Sequence, residues 1–108
     1  MSDRITHVTF FGDATHNFTL TDPMIAELER LTATGIGALY FRVINMQFNA
    51  DTLGEIIRLG LIGGGTDPET AKRLVDTYAR NRPLAEVFPL ALDVLDARWT
   101  GKPQEAAA

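Results

Sequence analysis

Three consecutive glycines, Gly63, Gly64 and Gly65, stand directly before Thr66 and Glu69, and this stretch comes closest to looking like chemistry. A glycine-rich turn that opens a helix can cradle phosphate with its backbone amides, provided that a strand leads into it and a lysine follows. Neither condition is met. Ile56, Ile57 and Leu61 precede the glycines at helical spacing, the loop has no lysine, and Asp67 would repel an anion. The run reads instead as a helix C-cap and a tight turn, with Thr66 and Glu69 forming a capping box for the next helix. A small-molecule or nucleotide-binding module using this loop is the alternative it leaves open.

The other candidates are thinner. His7 and His16 are the only histidines, and with only Asp13 nearby they make a poor metal set, so they read as surface imidazoles. Asp93 and Asp96 share a segment with Arg98. Paired carboxylates can divide acid and base roles when burial separates their pKa values, but a solvated helix face accounts for them. Ser2 is the only serine and lies at the chain start. Lys72, Arg73, Arg80 and Arg82 form a local basic edge that helix-end electrostatics explain. No catalytic constellation emerges, and the sequence calls for no cofactor and no metal.

The totals narrow the class further. A chain of 108 residues with 45% hydrophobic and 22% charged residues is one ordinary globular domain. Residues 1–101 are expected to form it, with 102–108 a disordered tail lacking anchors. The absence of cysteine removes disulfides and thiolate chemistry and fits a reducing, cytoplasmic setting. A net charge of −4 with scattered Lys and Arg argues against nucleic acid. No apolar run reaches the roughly 18 residues of a membrane span, and the opening is unlike a signal peptide.

The fold class expected is α+β: an N-terminal β-hairpin followed by four to five α-helices. Ile5 to Phe11 and His16 to Leu20 are strand-forming runs on either side of Gly12-Asp13. Thr21-Asp22-Pro23 opens a helix with Met24, Ile25, Leu28 and Leu31 on its apolar face. After Gly35, a second helix turns Leu39, Tyr40, Val43 and Ile44 inward. The third, about Ala50 to Ile62, contains Gly54 and Gly60, each costing about 1 kcal/mol relative to alanine. That cost points to a close neighbour at Gly60. The fourth buries Ala71, Leu74, Val75 and Tyr78. The last starts at Pro83, with Leu84, Phe88, Ala91, Leu95 and Trp99 in one seam and Val87, Leu90 and Val94 broadening it. Pro89 within it predicts a kink or an early break. So broad a face suits core packing, with a protein partner as the alternative. The partner surface expected from this pattern comprises Phe10, Phe11, Leu90 and Val94.

The run Ile57 to Gly65 (IRLGLIGGG), followed by Pro68, Ala71, Leu74, Val75 and Tyr78 and then by Arg82-Pro83-Leu84 with Glu86, resembles a known family. It is similar to the small tail protein of gene transfer agents and related prophages, described either as a tail tube protein or as a tail assembly chaperone. The likeness spans about Thr6 to Gly101, and its specificity lies in combining the glycine segment with the later RPLAE. Phe10-Phe11 and the His-bearing hairpin depart from the family's usual opening. The resemblance implies a non-enzymatic role in tail morphogenesis, in the cytoplasm or in a phage-like particle. As a tail assembly chaperone the chain would bind the tape-measure protein and yield to tail tube subunits; as a structural tail tube subunit it would polymerise. A homo-oligomer is compatible with both. Size favours the chaperone, because a tube wall needs more sheet than one hairpin. Gly60, Gly63, Gly64, Gly65, Thr66, Glu69, Arg82 and Pro83 would then be structural.

Overall fold

The computed structural model describes residues 4–102. Two strands, β1 (Thr6–Phe11) and β2 (Ala14–Thr19), form an antiparallel hairpin, and five helices follow: α1 (Asp22–Thr32), α2 (Ile36–Ile44), α3 (Ala50–Gly63), α4 (Pro68–Tyr78) and α5 (Leu84–Trp99). The fold is α+β. In the hairpin register Thr6 faces Thr19 and Phe11 faces Ala14, with Gly12 at φ +70 in the turn. The two paired threonine hydroxyls lie 2.6 Å apart and satisfy each other in a buried setting.

Helix α3 is the centre of the molecule. Its residues Leu53, Ile56, Ile57, Leu59 and Leu61 are buried, and it packs on β2, α1, α4 and α5. A helix surrounded on so many sides must be apolar on more than one stripe, which is what this segment supplies. The hairpin, too small to be stable alone, lays Phe11, Phe18 and Leu20 into the same core.

The glycines of α3 explain how close these layers come. A Cβ on Gly60 would sit 3.0 Å from Val94 Cγ1 of α5 and 3.4 Å from Phe18 Cβ of β2. On Gly63 it would fall 1.8 Å from the carbonyl oxygen of Thr19, and on Gly64 2.0 Å from that of Asn17. The end of α3 therefore rests directly on the backbone of β2, with no room for any side chain. Gly65 has a different role. At φ +112 it closes a Schellman turn, in which Thr66 N donates to Leu61 O and Gly65 N to Ile62 O.

Several sequence expectations change here. Thr66 does not cap α4: Asp67 is the N-cap, its carboxylate accepting from Thr70 N at 3.1 Å, so the Thr66–Glu69 capping box does not form. Pro68 at the first helical position fixes that frame. Helix α5 runs unbroken through Pro89. Leu31, Ile44, Leu84 and Trp99, assigned inward, are exposed, while Ala91 and Leu95 of the expected seam are buried together with Val87, Val94 and Ala97. Lys102, placed in the tail, is tied back to the chain start: Lys102 N donates to Arg4 O at 2.7 Å and Arg4 Nε to Lys102 O at 2.7 Å. The rest of the expected tail, and Ser2, lie outside the described residues.

Candidate functional site

The residues with chemical potential do not converge. His7 and His16 each pair with a different carboxylate, His16 with Asp13 at 2.9 Å and His7 with Asp93 at 3.8 Å. Asp96 accepts from the Tyr40 hydroxyl at 2.6 Å, and Arg98 binds the Leu20 carbonyl and the Asp22 carboxylate, both at 2.8 Å. That arginine clamps the entry to α1 against α5. The bond to Asp96, more than desolvation, raises the Tyr40 pKa above the usual tyrosine value. Three members of the basic edge are engaged within the chain: Arg80 bonds Asp51 at 2.7 Å, Lys72 bonds Asp76 at 2.7 Å, and Arg82 lies 6.0 Å from the centre of the Tyr78 ring. Among the described residues no group of three or more His, Cys, Asp or Glu side chains could hold a metal ion. Among the described residues no helix is long and apolar enough to cross a membrane.

What remains is surface. The four side chains expected to meet a partner separate into two kinds. Phe10 is 65% exposed and Leu90 is half-buried, both lining a cleft of about 340 Å³ between β1, the end of α4 and the start of α5. Phe11 and Val94 are core residues, at 8% and 1% exposure, although Phe11 also contributes to the wall of that cleft. Phe11 meets Phe18 and Tyr78 edge-on, and Val94 fills the space beside Gly60. Strand alternation explains the difference between the adjacent phenylalanines, which point to opposite faces of the hairpin. The breadth of α5 has a packing cause, since it covers α3, α2 and both strands.

A second apolar surface lies at the end of α2. Phe41, Ile44 and Met46 are 61%, 45% and 66% exposed. Phe41 and Ile44 share one face at helical spacing. Leu39 and Val43 face the core, and Tyr40 stacks on Trp99 with ring centres 4.7 Å apart. The start of α2 is held by α1, where Glu29 Oε2 accepts from Ile36 N at 2.8 Å. Its end is a Schellman turn with the same bonding as that of α3: Gln47 N donates to Arg42 O and Met46 N to Val43 O. Here the left-handed residue is Met46, at φ +60, in a place where glycine is favoured by about 1 kcal/mol or more. Sequence spacing does not single out Phe41 or Met46. The available signal is composition, because a helix reading IGALYFRVI, with Arg42 its only charge, is apolar on more sides than its two main neighbours cover.

These observations define a class: a small α+β domain of one hairpin and five helices, with large apolar side chains left uncovered on several elements. The particular family follows from the family comparison. The model for the phage tail tube protein family, GTA-gp10, matches residues 4–101, and the chain belongs to that family. No curated protein and no solved structure matches the chain.

Proposed function

We propose that this protein is a tail assembly chaperone that binds the tape-measure protein while a phage-like tail is built. The observation carrying the proposal is the set of uncovered side chains Val8, Phe10, Phe41, Ile44, Met46 and Leu84 on a domain whose only described sheet has two strands. Large apolar side chains left uncovered on several elements suit transient cover for the apolar helices of another protein. Co-expression with the tape-measure protein of the same gene cluster is the test. The expected result is a soluble complex that co-purifies; an unchanged, insoluble tape-measure protein would remove the reading.

A second reading, the structural tail tube subunit, is favoured by the description of the family itself. Under it the chain is a stoichiometric part of the finished particle, whereas a chaperone departs before completion. Protein composition of purified particles, with cryo-electron microscopy of their tails, separates the two.

A further inference from the structure

We propose that the end of α2, formed by Phe41, Ile44 and Met46 with Arg42 at its border, is the docking site for the apolar face of an amphipathic helix with a carboxylate on its flank. The identity of that helix as part of the tape-measure protein rests on the chaperone reading; the site does not.

Three features lead to this occupant. Phe41 and Ile44 form a ridge along one helix face, the shape that packs into the groove of a second helix. Met46, flexible and polarizable, extends the patch beyond the last turn and can adapt to the shape it meets. Its left-handed backbone conformation holds a large apolar side chain in solvent where the equivalent turn of α3 uses Gly65. A backbone strained to present an exposed apolar group calls for a gain elsewhere, and contact with a partner supplies one.

Charge selects among partners. From Ile36 to Ala50 the only charged residue is Arg42, in a chain whose net charge is −4. Arg42 is exposed, and the one hydrogen bond of its side chain, to Thr34 Oγ1, is long at 3.4 Å; among the described residues it has no ion pair. A carboxylate beside the incoming apolar seam would meet this guanidinium. A second copy docked symmetrically through the same patch would instead bring two Arg42 side chains together, which opposes a self-complementary dimer.

The test uses peptides tiling the tape-measure protein, with binding to the full chain followed by fluorescence anisotropy, alongside sedimentation of the protein alone. At least one helical, acidic-flanked peptide is expected to bind. Phe41→Glu should weaken it about tenfold or more, and Arg42→Glu should weaken it in a way restored by exchanging the peptide carboxylate for lysine. Met46→Gly is the most discriminating variant: it should raise Tm by about 4–8 °C while weakening binding, whereas a purely structural Met46 would not lower affinity as stability rises. Equal binding by all three variants would overturn the proposed site while leaving the chaperone reading intact. Failure of every peptide overturns the proposed helix, and the chaperone reading falls with it only if the full-length tape-measure protein also fails to co-purify. A wild-type dimer dissociated by Phe41→Glu would assign the patch to a second copy and overturn the proposal.

Discussion

Replacing Gly63 by alanine tests the contact on which the position of the hairpin depends. The added methyl would lie 1.8 Å from the Thr19 carbonyl oxygen, well inside any van der Waals contact, and the obstacle is backbone rather than a movable side chain. To admit it, the end of α3 has to lift from β2 by about 1 Å, loosening Phe18 and Leu20, which are fully buried against the core. Overpacking of this kind costs about 1–3 kcal/mol and sometimes more, while alanine returns at most about 1 kcal/mol of helix propensity. The net expectation is a loss of about 2 kcal/mol, or a fall in Tm of roughly 8–16 °C for a domain of this size. Gly64→Ala, with its methyl 2.0 Å from the Asn17 carbonyl oxygen, should behave alike. Gly37→Ala is the control, because its nearest obstacle, the Trp99 ring, is an ordinary 3.8 Å away on an exposed helix. That variant should gain up to about 1 kcal/mol. Calorimetry on the three proteins decides the matter: a Gly63→Ala protein as stable as Gly37→Ala would refute direct contact between α3 and the strand backbone.

Other expectations follow from single contacts. Arg80→Ala removes the half-exposed guanidinium that joins α4 to Asp51 and Glu55 of α3; urea titration should show a loss of about 1 kcal/mol that shrinks in high salt. Pro89→Ala restores a donor for the Ala85 carbonyl inside α5 and should raise stability by about 1–3 kcal/mol in the same assay. The pKa of Tyr40 is raised in the folded protein, so its stabilising contribution is complete below the unfolded tyrosine pKa near 10 and is lost as pH rises through the higher folded value. Thermal melts between pH 9 and 12, values bracketing that ordinary pKa, should show this alkaline component in the wild type and its loss in Tyr40→Phe.

Much of the architecture was legible because local rules agree with the final packing. The Gly12-Asp13 interruption, the Pro23 helix start and the apolar spacing of α3 and α4 all correspond to elements in the structure. The errors occur where distant parts of the chain decide. Phe10 and Phe11 are identical in type, and only the face of the hairpin that meets α3 and α5 separates exposed from buried. Val94 broadens an apolar seam in sequence but fills the space over Gly60 in the fold. The capping frame was available locally, since Pro68 suits the first helical position and makes Asp67 the cap, yet Thr66 and Glu69 present a competing pattern one residue away. The contact of Gly63 and Gly64 with β2 joins segments far apart in the chain and leaves no periodic trace.

The reciprocal bonds between Arg4 and Lys102 bear on biosynthesis. The hairpin leaves the ribosome before the helices described here, but part of its cover comes from α5, which follows the other four. Until α5 emerges, β1 lacks its main helical neighbour, and the guanidinium of Arg98 has not reached the Leu20 carbonyl. Such long-range closure makes the interval before α5 is made the one in which the nascent protein is most prone to association. Slowed translation across the codons of α5 should therefore lower the soluble yield more than slowing across those of the hairpin.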